Sequence, residues 1–214
     1  MKLHNLINPE LELTVENHAV KIEEQQTQTD TLKEVKITQL PENVFVFSMD
    51  KKEAKICKGK ETCSGNQGKC RNHFLNEQND RINKVCDGII FYYENNYLDL
   101  FFCELKSQKL KVLQYETQLI NTKLFVDYLF ILFEQFYKDE DIQIRQIKYI
   151  LFHIDRKRPT QTDKALRNKV KIENPSPTIE EMQHYPETQI VKYPLQKTMY
   201  NHVAWKDLVS ERSG

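Results

Sequence analysis

The chain has 214 residues, enough for one domain of ordinary size. Hydrophobic residues make up 39 % and charged residues 29 %, a polar composition that still supports a core, and only 5 Gly and 7 Pro exclude a fibrous or low-complexity protein. The 31 basic side chains balance 31 acidic ones. That neutrality argues against a stand-alone protein held to DNA by bulk charge, but leaves room for a local basic surface or for a partner that supplies the grip.

The first residues, MKLHNLINPELELTVENH, contain neither an uninterrupted apolar stretch nor a small-residue cleavage site, so no secretory signal is expected. The longest apolar candidate, Leu124 to Phe136, contains Asp127 and Glu134 and falls short of the ~18 residues of a membrane span. A cytoplasmic protein is the resulting expectation. The cysteines are Cys57, Cys63, Cys70, Cys86 and Cys103, an odd set that favours reduced thiols over a disulfide framework.

In chain order, residues 1–42 are polar and irregular, with a helix expected over part of Glu10–Glu24 and a loop at 25–31. The first clear strand is Asn43–Met49, rich in Val and Phe. A polar insertion, residues 50–84, follows, with a short helix expected over Arg71–Asn83. Val85–Tyr93 and Tyr97–Leu105 are strong apolar runs joined by Glu94-Asn95-Asn96, which is a hairpin signal. Their near-continuous hydrophobicity (IIFYY, LFF) predicts strands buried on both faces. From Lys106 onward the period changes. Leu110, Leu113, Leu119, Ile120, Leu124, Phe125, Tyr128, Leu129, Leu132 and Phe136 predict a long amphipathic helix over roughly 109–137. A buried strand is expected at Ile147–Ile154. Beyond Asp155 the tail is first basic, then Pro-containing, with a further strand at Gln189–Pro194. The division is an N-terminal segment 1–42, a core 43–155 and an extension 156–214. The fold class is α/β: a mixed central sheet flanked by helices, with a cysteine-containing insertion.

Chemistry concentrates on the hairpin. Glu104 and Lys106 are two apart in a strand and share a face. A loop centred on Asn95 sets Asp87 opposite about Cys103, so Asp87 and Glu104 become neighbours across the ladder. Charges in so apolar a setting are costly unless paired or bound to a metal. Two carboxylates suit a hard divalent cation, with Lys106 placed to orient or deprotonate a water. The bland alternative is a surface ion pair between Glu104 and Lys106.

The segments KVCDGIIFYY and LFFCELKS, followed by a helix bearing QLINTK, resemble the PD-(D/E)xK nuclease superfamily, in particular its small bacterial members. The resemblance implies a restriction-endonuclease-like core over about residues 43–155 and a Mg²⁺- or Mn²⁺-dependent phosphodiesterase. It implies metal ligation by Asp87 and Glu104, a catalytic role for Lys106, and support from a helix glutamine, Gln118 with Gln114 as its rival. DNA rather than RNA is the implied substrate, with a role in bacterial antiviral defence or DNA processing. The chain departs from the family pattern in carrying Cys86 where a proline usually precedes the aspartate. It also has no clearly placed acidic residue from a first helix, Glu16 and Glu77 being the candidates.

Cys57, Cys63, Cys70 and His73 fall within a short Gly-containing loop and could hold a structural, tetrahedral Zn²⁺. A loop with free cysteines is an equally weighted reading. Arg156 to Lys171 hold seven Lys or Arg and one Asp. Of these, Arg156, Lys157, Arg158, Lys164 and Arg167 are the candidate phosphate contacts. Lys51, Lys52, Lys55, Lys58 and Lys60 form a second basic run. His153 reads as a sheet-end histidine, and Trp205 as a packing residue. A non-enzymatic, zinc-stabilised adaptor on a nuclease-like fold is the alternative to a nuclease, and a subunit docking through the tail from Asn174 is a third. Neutral net charge suggests that a protein partner or homo-oligomerisation governs access to nucleic acid.

Overall fold

The computed structural model describes residues 3–24, 32, 34–49, 84–106, 112–137, 142–154, 171–173, 190–195 and 201–210. The insertion 50–83, with Cys57, Cys63, Cys70, His73, Glu77, the basic run from Lys51 and the helix expected at Arg71–Asn83, lies outside the described residues. So do the loop at 25–31 and the basic stretch with Arg156, Lys157, Arg158, Lys164 and Arg167.

The described chain is mixed α/β, with two mixed sheets and few helices. The larger sheet has the order β3-β4-β5-β6-β8-β7. Its strands are β3 (Val44–Phe47), β4 (Gly88–Glu94), β5 (Tyr97–Lys106), β6 (Gln143–Ile154), β7 (Lys171–Glu173) and β8 (Ile190–Leu195). β3, β4 and β5 form an antiparallel meander. The long helix α1 (Val112–Phe136) then carries the chain across to β6, which runs parallel to β5. The smaller sheet has the order β1-β2-β9, from β1 (Ala19–Glu23), β2 (Glu34–Thr38) and β9 (His202–Ala204). β9 leads directly into a short helix, α2 (Trp205–Val209).

The hairpin expected between β4 and β5 is present, with Asn95 at φ 56° in the left-handed region that asparagine tolerates. Its register pairs Gly88 with Cys103 and Glu94 with Tyr97. Extended by one residue, that register sets Asp87 opposite Glu104 rather than Cys103. The one-residue difference decides which face a side chain takes, and here it gives Asp87 and Glu104 the same face.

Alternation along β5 divides the core. Leu98, Leu100 and Phe102 pack under α1 with Phe47, Ile89, Phe91, Tyr149 and Leu151. Phe101, Cys103 and Leu105 face the smaller sheet with Ile90, Ile150, Phe152, Ile22, Ile37 and Val203. Trp205 closes this second layer, edge-on to Phe101 at 5.0 Å and to Tyr92 at 5.4 Å, a packing role as expected. Where a sheet flanked by helices was expected, the described residues put one long helix on one face and a three-stranded sheet with the short helix α2 on the other.

Two sequence expectations are replaced. No helix forms over Glu10–Glu24: a 3-10 turn at Pro9–Leu11 and a tight turn through Asn17 and His18 (φ 49° and 57°) lead into β1. Glu16 and Ala19 bond to each other across that turn in both directions, 2.9 Å each, which suits a two-residue hairpin. Along α1 the buried stripe runs through Tyr115, Leu119, Thr122, Val126, Leu129, Phe130 and Phe133. Leu124, Tyr128 and Phe136, counted toward the apolar face from spacing, are exposed. The helix carries apolar residues on more than one face, so spacing alone does not choose the side that packs.

At the hairpin end of the large sheet, Asp99 is 1 % exposed and is held by Arg145 through Nε and Nη2, both at 2.8 Å, and by Gln146 Nε2 at 2.8 Å. β6 pairs Ile144 with Leu98 and Gln146 with Asp99, which leaves Arg145 as the extra residue of a bulge and turns its guanidinium toward Asp99. Burial alone would raise the Asp99 carboxyl, but Arg145 and Gln146 hold it below the ordinary range. Arg145→Ala leaves Asp99 buried with an amide as its remaining side-chain donor here. A loss of about 1–3 kcal/mol in urea denaturation at pH 7 is expected.

Candidate functional site

At the opposite end of β5, the residues singled out from the sequence come together. Asp87 is 4 % exposed and Glu104 is fully buried. The Leu105 backbone N–H donates to Asp87 Oδ2 at 2.7 Å, fastening the start of β4 to the end of β5. The Lys106 ammonium, on a side chain 18 % exposed, pairs with Glu104 Oε1. Glu104 Oε2 makes no hydrogen bond of ordinary geometry among the described residues, although the Asp87 backbone N–H lies near enough to favour the ionised carboxylate. The shared face expected from the i, i+2 spacing is present, and the ion pair of the bland alternative forms on it, with Glu104 fully buried and Lys106 partly so rather than at the surface.

Burial drives the Asp87 carboxyl well above its ordinary range, and the Glu104 carboxylate adds to the rise; the Leu105 N–H and Lys106 oppose it. Burial likewise pushes Glu104 up, to about 7, against the attraction of Lys106. For Lys106, burial lowers the pKa, but Glu104 first, then Asp87 and Glu24, more than offset it, and the net shift is upward. The ammonium is therefore the stable form at neutral pH.

Glu24 belongs to this site and was not found from sequence. It follows β1 directly, interacts electrostatically with Lys106, and has a buried Oε2 without a donor among the described residues. The candidates named for an additional acid do not take this place: Glu16 is exposed at the Asn17-His18 turn, and Glu77 lies outside the described residues. The missed signal is a glycine. A Cβ at Gly88 would stand 2.8 Å from Ile22 Cδ1 and 3.0 Å from Ile22 Cγ2. The absence of that carbon lets β1 lie close against β4 and brings the chain beyond Glu23 to the site.

Gln118 is buried on α1, and its Nε2 donates to the Val85 carbonyl at 3.1 Å. Its Oε1 is buried without a donor among the described residues. The Gln114 side chain lies outside those described. Cys86, at the position where the family has proline, is buried, and its thiol donates to the Gly88 carbonyl at 3.3 Å. Burial raises the Cys86 and Cys103 thiols, and the neighbouring carboxylates raise both further. Both are free thiols buried in the core, consistent with the reduced state expected of the cysteines. His153 pairs in register with Lys106 at the sheet end.

Among the described residues, no group of three or more His, Cys, Asp or Glu is arranged as metal ligands, and no helix is long and apolar enough to cross a membrane. The chain matches no family model, no curated protein and no solved structure.

Two measurements probe this geometry. The folded-state pKa of Glu104 lies above its ordinary value of 4.5. Its contribution to stability is therefore fully present below pH 4.5 and is lost as pH rises through about 7. Metal-free protein should lose on the order of 1–3 kcal/mol between pH 5 and 8 relative to Glu104→Gln, read from paired thermal melts. Gly88→Ala forces Ile22 to move within a filled layer and should cost about 1–3 kcal/mol; thermal denaturation checks it.

Proposed function

We propose that the chain is a divalent-metal-dependent phosphodiesterase, a nuclease of the PD-(D/E)xK kind acting on DNA. The observation that carries this reading is the buried, facing pair Asp87 and Glu104 with Lys106 alongside. The order β3-β4-β5, α1, β6, with β6 parallel to β5, supports a restriction-endonuclease-like core.

The residues fit a cation. Glu104 Oε2 is a buried acceptor with no hydrogen bond of ordinary geometry here, and both carboxyls are held above their ordinary range by an environment that disfavours negative charge. Asp87 and Glu104 would hold Mg²⁺ or Mn²⁺, an ion that commonly takes one or two carboxylates and keeps several waters. When bound, such an ion supplies polarisation of a phosphoryl oxygen and acidification of a coordinated water. Lys106, kept as an ammonium, acts as a charged hydrogen-bond donor to a phosphate oxygen rather than as the base. Leu105 N–H keeps Asp87 oriented.

Zinc in the cysteine loop, phosphate contacts from Arg156 onward, and a role in antiviral defence belong to this proposal as its outer parts. Neutral net charge favours control of substrate access by a partner or a homo-oligomer, a view that robust DNA cleavage by a purified monomer would remove. The adaptor reading draws on one observation: Lys106 already neutralises Glu104 internally, which gives the pair a structural use without chemistry.

The deciding experiment is plasmid cleavage in Mg²⁺ or Mn²⁺. Wild-type protein should nick or linearise DNA, while Asp87→Ala and Lys106→Ala keep the fold and lose activity by about 10²-fold or more. Cleavage that survives both substitutions would remove the assigned site. A wild type that neither cleaves nor binds Mn²⁺ would favour the adaptor.

A further inference from the structure

β4 begins at Gly88, so the residues just before Asp87 approach the sheet without a ladder of their own. Buried backbone groups there still require partners. α1 supplies them from three side chains. Asn121 Nδ2 donates to the Lys84 carbonyl at 3.0 Å, and Gln118 Nε2 to the Val85 carbonyl at 3.1 Å. Thr122 Oγ1 accepts the Cys86 N–H at 2.8 Å. The Thr122 hydroxyl proton goes to the Gln118 carbonyl at 2.7 Å, which leaves the oxygen lone pair aimed at Cys86. Positions i, i+3 and i+4 of a helix lie on one face, and 118, 121 and 122 have that spacing.

We infer that this face of α1 is a positioning device for Asp87, with Thr122 and Asn121 as positioning residues for the metal-binding pair. The inference rests on reading Asp87 and Glu104 as that pair. Three consecutive residues are gripped, and Asp87 is the next. Its carboxylate is then fastened from the far side by the Leu105 N–H. The aspartate is thus held between helix and strand. An error in α1's placement reaches the carboxylate directly, since no turn of free chain lies between them. Thr122 is fully buried, so replacing its hydroxyl by a methyl strands the Cys86 N–H without changing the volume packed.

The test is Mn²⁺ titration of purified full-length protein by calorimetry, with thermal melts alongside. Thr122→Val and Asn121→Ala should each weaken Mn²⁺ binding about 10-fold or more, the scale on which groups that orient metal ligands act. Thr122→Ser, which restores the hydroxyl, should bind as wild type does. Phe133→Leu, further along the same buried face of α1, serves as a stability control and should keep wild-type affinity despite a lower melting temperature. If Thr122→Val does not fold, Asn121→Ala, at a half-buried position, carries the comparison. Wild-type Mn²⁺ affinity in folded Thr122→Val and Asn121→Ala, with binding abolished by Asp87→Ala, would overturn this inference alone. Absence of Mn²⁺ binding in wild type would overturn the metal-pair reading, and the inference with it.

Discussion

Two carboxylates facing each other across neighbouring strands, both cut off from water, set the terms for the rest of the site. Side by side and buried, Asp87 and Glu104 repel, and a low-dielectric surrounding magnifies the repulsion. The chain offsets it with one ammonium, the backbone N–H groups of Leu105 and Asp87, and proton uptake, and both carboxyls still stay above their ordinary range. Lys106 reaches only one oxygen of Glu104, and Leu105 donates to only one oxygen of Asp87. The packing around the pair is filled on the strand side and the helix side. Two residues before Glu104 on β5, Phe102 stacks on Tyr149 of β6 at 5.3 Å, and the helix face behind Asp87 is fastened to the backbone.

The two ends of the large sheet solve the same problem differently. At the hairpin end Asp99 is saturated: two guanidinium nitrogens and an amide converge on it, and its carboxyl is held low. At the other end Asp87 takes one backbone N–H, Glu104 one ammonium, and both carboxyls are held high. A fold that satisfies one buried aspartate so fully has the means to satisfy another. The contrast between the two ends of β5 separates a carboxylate held below its ordinary range from carboxyls held above it.

Much of the core was legible because β4, β5 and β6 are long apolar runs with few rivals for a central place. The carboxylates stood out because charge inside such runs has few cheap explanations. The exact pairing did not follow: a loop centre half a residue off changes the partner of Asp87 from Glu104 to Cys103, and loop length alone does not resolve that. Glu24 was illegible for a different reason. It arrives from a separate sheet, through the contact of Ile22 with Gly88, and neither residue carries a mark of long-range pairing. The helix glutamine illustrates a third limit. The resemblance implied support of the site by Gln118 without saying how, and geometry assigns its donor to the Val85 carbonyl. Spacing reports which residues share a face, but not which backbone group lies opposite.

The smaller sheet joins distant parts of the chain. β9 pairs parallel with β2, and Thr38 donates to the Val203 carbonyl across 165 residues of sequence. During synthesis, β1 and β2 emerge early as a hairpin with one edge waiting, and that edge is closed only when the segment around residue 203 has left the ribosome. Contacts of this separation form late. The layer that seats Ile22 against Gly88 would on this ground mature after the meander and α1 have had time to assemble. A nascent chain would carry the Asp87 and Glu104 strands before it carries their complete surroundings, which gives the order of folding a say in when the site comes into being.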